Sequence, residues 1–139
     1  VEVEALQSAL AAEHAAVYAY GVIGALAGNE ARRDAMAAID AHRARRDRLR
    51  VLIADRAASP VAAEPFYDLP EAVQTPEDAR MLATTVEERL AAVWADVVAA
   101  VEAELREFAA LALQEAAVRA ARWRGSSIPW PGLPERSGA

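Results

Sequence analysis

Five side chains have the types and spacing to do chemistry: Glu13, His42, Arg46, Glu87 and Glu115. Each interrupts a row of apolar residues that repeats at intervals of three and four, the signature of a helix face turned toward a core. The rows are Leu6, Leu10, Glu13, Val17, Tyr20 and Gly24; then Met36, Ile39, His42, Arg46, Leu49 and Ile53. A third segment carries two overlapping rows, one from Leu82 through Val86, Leu90 and Val93 to Val97, the other Ala83, Glu87, Leu90, Trp94 and Val101. The fourth reads Leu105, Phe108, Leu111, Glu115, Val118 and Arg122. Packed antiparallel, these interruptions would meet near mid-height.

Two chemistries compete for such a layer. Carboxylates and imidazole on facing helices can hold a pair of hard or borderline divalent ions, iron or manganese, and Glu13, His42, Glu87 and Glu115 would be the ligands. That arrangement ordinarily needs a Glu-x-x-His pair on each of two helices. Neither is present: Ile39 stands three before His42, the fourth segment has no histidine, and His14 diverges from Glu13 by about 100° on a helix. The other chemistry is a metal-free ion-pair network. Arg46, a permanent planar cation, would neutralise Glu13 and one further carboxylate, removing much of the cost of burying them and repelling any metal. The residues favour this second reading: a buried polar cluster of all five residues, with no cofactor, metal ligand or catalytic group. It puts Arg46 within hydrogen-bonding distance of Glu13.

The elements that must position these groups are marked by proline. All seven prolines fall in two windows, 60–76 and 129–134, where helix is interrupted. Helices are predicted over 3–26, stopped by a C-cap Gly28 with Asn29 as the next N-cap, and over 30–58. Thr75-Pro76-Glu77-Asp78 combines an N-cap, a first-turn proline and two acids, so a helix starts there. The stretch 77–124 lacks Gly, Pro and Asn. A single helix of that length would run about 70 Å, so a turn is placed at 101–104, where the apolar register slips; an unbroken helix in a swapped dimer is the competing arrangement. The result is all-α: a four-helix bundle over 1–125 whose short link, long crossover and short link give ferritin-like connectivity. An extended proline-rich tail follows over 126–139.

Composition narrows the function classes. Of the 139 residues, 37 are alanine, which favours close-packed helices over sheet. All 15 basic residues are arginine, a bias suited to a GC-rich genome, and the net charge of −6 gives no electrostatic basis for nucleic-acid binding. Without cysteine there are no disulfides, thiolate metal sites or thiol nucleophiles. No Ser-His-Asp arrangement, phosphate-binding loop or nucleotide fingerprint appears, and Glu87 and Glu88 diverge too far to act as an acid–base pair. The apolar stretch 15–28 is too short for a membrane span and lacks a basic flank, so no membrane association and a cytoplasmic setting are expected. Gly21, Gly24, Ala25 and Gly28 suit close helix packing. The arginine-rich run 42–48 reads as a solvated, paired face, and Tyr18, Tyr20, Trp94 and Trp123 read as core and rim packing. In the tail, Ile128, Trp130 and Leu133 are expected to lie back over a groove of the bundle.

Several phrases together resemble a known family: the run from Ala12-Glu13-His14 to Tyr20-Gly21, His42-Arg43-Ala44-Arg45-Arg46-Asp47, Tyr67-Asp68-Leu69-Pro70, and the ending Trp123-Arg124-Gly125 through Pro131-Gly132-Leu133-Pro134. The chain is similar over nearly its whole length to a ferritin-like family of unknown function from high-GC bacteria. The resemblance implies the four-helix fold and carries over, from the wider superfamily's metal ligands, Glu13 with Glu87 and Glu115 in loosely matching positions. It implies no activity. Non-catalytic association, as a homodimer or with a partner, is the expected role. A degenerate di-metal redox protein and a binder of small apolar ligands at the glycine face and Trp94 are the alternatives.

Overall fold

The computed structural model describes residues 1–70, 72–125, 131 and 133. The expectations for Ile128 and Trp130 lie outside them. Among the described residues there is no strand, and four helices follow in order: α1 (Glu2–Leu26), α2 (Asn29–Ala54), α3 (Pro76–Ala100) and α4 (Ala103–Arg124).

Helix starts and stops follow local chemistry, with two departures from expectation. The Thr75 side chain accepts from the Asp78 backbone N–H while the Asp78 carboxylate accepts from the Thr75 N–H, a reciprocal capping box with Pro76 in the first turn. Thr75→Ala is therefore expected to lower stability by about 1 kcal/mol in urea unfolding. Gly125 closes α4 at φ +88°, the left-handed conformation glycine adopts without strain. Gly28, by contrast, is no left-handed C-cap. The chain leaves α1 extended at Ala27, and Gly28, also extended, is the N-cap of α2 with Asn29 already helical.

The second departure is the end of α2, which stops at Ala54 rather than near 58. Ala57 takes the left-handed conformation (φ 58°) and the Ala58 N–H reaches back to the Ile53 carbonyl. This is a Schellman-type ending built from alanine, so no glycine announced it. The turn between α3 and α4 falls at Val101–Glu102, inside the expected 101–104.

α1 packs against α2 and α3, and α3 against α4. The crossover climbs α1. Gln7 bonds Ser59 and Val61, the His14 Nε2–H donates to the Val61 carbonyl at 3.0 Å, and Tyr18 meets Tyr67. The early α3 residues Ala79 and Leu82 consequently pack with Tyr20 and Ile23 late in α1, while Trp94 and Val97 pack with Leu6 and Leu10. α3 thus runs antiparallel to α1 and parallel to α2, and the connection from α2 to α3 traverses the bundle.

The core forms two apolar clusters, one around Leu6, Leu49, Leu90 and Trp94, the other around Tyr20, Ile39, Leu82 and Trp123. α1 is long and apolar enough to cross a membrane by length and composition, a test the buried helix of a bundle also passes. On α4 the face turned inward is Ala109, Ala112, Ala116, Ala120 and Trp123, not the row of larger residues. Leu111 and Val118 are exposed, as is Met36 on α2. With alanine on every side of a helix, the larger apolar residues do not mark the buried face.

Candidate functional site

Between the two apolar clusters lies a closed polar layer. Glu13, His42, Glu87, Tyr20 and Trp94 are each at most 2% exposed. His42 lies at its centre, with Nδ1 at 2.7 Å from Glu13 Oε2 and Nε2 at 2.8 Å from Glu87 Oε1. Both ring nitrogens face carboxylate oxygens, which accept and do not donate when ionised, so both nitrogens carry hydrogen and the ring is an imidazolium. One buried cation thus links α2 to α1 and α3.

Aromatic donors complete the layer crosswise. The Tyr20 hydroxyl donates to Glu87 Oε1 at 2.6 Å, and the Trp94 indole N–H donates to Glu13 Oε1 at 2.9 Å. Tyr20 is seven residues after Glu13, and Trp94 seven after Glu87, so each aromatic shares a helix face with a glutamate two turns away. Because α1 and α3 are antiparallel, each aromatic reaches the other helix's carboxylate. The Trp123 indole N–H from α4 donates to the Tyr20 oxygen at 2.9 Å, and the Tyr20 ring stacks on His42 with centroids 5.4 Å apart. One oxygen, Glu87 Oε2, is buried with no hydrogen-bond partner among the described residues.

The electrostatics follow from these contacts. Burial pulls the His42 imidazole toward its neutral form, but hydrogen bonds and charges from Glu13 and Glu87 outweigh it and hold the pKa up at about 9. Burial, then the charge and hydrogen bond of Glu87, push the Tyr20 phenol far above its ordinary range.

The structure brings together Glu13, His42 and Glu87; Arg46 and Glu115 stand elsewhere. Arg46 pairs with the adjacent Asp47 at 2.9 Å, its side chain 27% exposed. One turn beyond His42 a residue has rotated about 40° around the helix, enough to carry a long charged chain to the rim, where its head stays in water. Glu115, 45% exposed, pairs with Arg45 at 2.8 Å and Arg119 at 3.6 Å. It precedes the inward-facing Ala116 by one position and therefore points outward. The cation at the centre is His42, and the expected guanidinium–Glu13 contact is corrected accordingly. Arg46→Met should change stability by less than about 0.5 kcal/mol in urea unfolding, as for other exposed pairs.

Tyr20, Trp94 and Trp123 are the members that a reading of packing alone overlooks. Their sequence signal is the matched spacing of Glu13 to Tyr20 and Glu87 to Trp94. A ligand slot at Trp94 and the helix-one glycines is not what the structure forms. Trp94 is buried, bonded to Glu13 and edge-on to Phe108, while Gly21 faces open space and Gly24 approaches Ala35. An apolar groove lies instead between Ala12, Ala16 and Ala19 of α1 and Val86 and Val93 of α3, beneath Tyr67–Pro70.

A divalent metal would need imidazole lone pairs and carboxylate oxygens converging on one point. Here the ring nitrogens are spent on the carboxylates themselves, and among the described residues no group of three or more His, Asp or Glu is arranged to hold an ion. The residues present do not fit a di-metal centre.

An antiparallel bundle with a long second connection and a closed Glu–His–Glu layer defines the class. The chain belongs to the family described as a domain of unknown function, DUF4439, whose model matches residues 5–135. It is similar to the crystal structure of a conserved hypothetical protein, Rv2844, from Mycobacterium tuberculosis. The two are 38% identical with a TM-score of 0.87, over 89% of this chain and 95% of that one. A comparison with curated proteins finds no match.

Proposed function

We propose that this chain is a metal-free, ferritin-like bundle whose polar interior is structural and whose role is exercised at its surface by self-association. The observation that carries the first part is His42, which holds two carboxylates from two helices with both of its nitrogens. An imidazolium occupies the height at which related bundles would bind ions, giving the interior one positive charge for its carboxylates and no open coordination position. The traversing connection between α2 and α3 supports the ferritin-like assignment. Leu111 and Val118, large apolar residues exposed on the outer face of α4, support association with a second copy.

Metal analysis and titration calorimetry test the interior. Protein prepared without chelator should hold far less than one ion per chain and give no binding heat with iron(II) or manganese(II). Stoichiometric binding abolished by His42→Ala would overturn the reading. Light scattering tests the surface: a dimer converted to monomer by Leu111→Glu with Val118→Glu is expected, and a concentration-independent monomer contradicts it.

A further inference from the structure

The polar layer also contains a chain of oxidisable rings with a built-in proton acceptor. Trp123 is 8% exposed and lines two surface grooves, one beside Arg80 and Thr84, the other beside Ala38 and Arg119. Its indole N–H contacts the Tyr20 hydroxyl, and the two ring centroids are 6.4 Å apart. The Tyr20 hydroxyl in turn donates to Glu87 Oε1, and the second oxygen, Oε2, is buried with no partner among the described residues. The 2.6 Å contact sets the phenolic proton directly against Glu87 Oε1, a carboxylate oxygen able to receive it.

We infer that Trp123, Tyr20 and Glu87 form a proton-coupled one-electron relay that moves an oxidising equivalent from the protein surface to a buried phenol. The incoming species is a one-electron oxidant of the kind generated by photosensitised or peroxide chemistry. It takes one electron from Trp123, leaving an indole radical cation. Tyr20 returns an electron to Trp123 and its phenolic O–H bond breaks, the proton forming a new O–H bond on Glu87. Trp123 is restored, and the products are a neutral phenoxyl radical at Tyr20, a carboxylic acid at Glu87 and the reduced oxidant. The proton must leave with the electron, because burial and the neighbouring Glu87 make free tyrosinate inaccessible. The 2.6 Å contact to Glu87 gives it a direct path, the geometry general-base transfer requires. His42, donating to the same Glu87 oxygen, stays charged throughout.

The relay uses the described network but does not depend on its being metal-free, and its test reads radicals rather than ions. The probe is a flash-generated ruthenium(III) polypyridyl oxidant acting on the full chain. Tyr18→Phe and Tyr67→Phe are included to silence the other tyrosines. Transient absorption should show an indole radical cation decaying into a phenoxyl radical, more slowly in deuterated water. Tyr20→Phe and Trp123→Phe should each abolish this phase. Glu87→Gln, which keeps the ring and removes the base, should slow it about 10²-fold. Should that variant not fold, the deuterium effect on the chain retaining Glu87 carries the same test. A phenoxyl signal undiminished by Tyr20→Phe, or a transfer rate indifferent to deuterium, would overturn the relay.

Discussion

His42→Ala is expected to destabilise the bundle by about 3–5 kcal/mol, the cost of removing one partner from a buried, hydrogen-bonded charge cluster. The reason is what remains. Glu13 and Glu87, at 1% and 0% exposure, lose the only cation they contact among the described residues and cannot recover solvation without opening the bundle. Arg46 is no substitute, because it is engaged with Asp47 at the rim. A triple variant, Glu13→Gln, His42→Leu and Glu87→Leu, removes the charges together and should regain much of the loss, since replacing a whole buried ion cluster with uncharged residues leaves no charge unpaired while the amide introduced at position 13 can still accept from Trp94. Urea unfolding monitored by circular dichroism checks both. A loss below about 1 kcal/mol for His42→Ala would mean that solvent or another cation reaches the carboxylates.

Alkaline pH should act on the same group. The His42 pKa rises from 6.5 in the unfolded chain to about 9 in the folded one. A raised folded-state value means that the native state binds the proton more tightly. The resulting stability is therefore fully present below pH 6.5 and is lost as pH climbs through about 9. The groups facing the imidazole are Glu13 from α1, Glu87 from α3 and the Tyr20 ring. Proton linkage through His42 amounts to about 3 kcal/mol, since each tenfold gain in proton affinity is worth roughly 1.4 kcal/mol. Urea unfolding midpoints measured from about pH 6 to about pH 10 should fall steadily. The triple variant should show a flatter profile over the same range, and a wild-type profile equally flat would contradict the assignment.

How much of this was legible in the sequence differs between helices. Proline placement, the Thr75 cap and Gly125 located α3 and the end of α4, because those residues act through local backbone geometry. Glu13, His42 and Glu87 were visible as polar interruptions of apolar rows, since Leu6, Leu10, Leu49, Ile53, Leu82 and Leu90 fix the buried faces of α1, α2 and α3. α4 offers no such anchor. Its inward face is mostly alanine, so the row through Leu111 and Val118 pointed Glu115 into the core when it faces out.

The exchange of Arg46 for His42 as the central cation has another cause. Spacing assigns both to one side of α2, but a rotation of about 40° and the length of an arginine chain decide which remains inside. A compact imidazolium reaches two carboxylates at 2.7 and 2.8 Å without carrying a long stem through the core. The ending of α2 was hidden for a third reason: Ala57 adopts a conformation usually announced by glycine.

Everything proposed for the interior rests on the cation shared by Glu13 and Glu87 being a doubly protonated His42. Nitrogen-detected NMR of the His42 ring at about pH 7.5, between its unfolded and folded pKa values, addresses it directly. Two protonated ring nitrogens, both with exchange-protected hydrogens and unchanged by added iron(II) or manganese(II), are predicted. A neutral ring with one bare nitrogen, or a resonance lost when metal is added, would contradict the account.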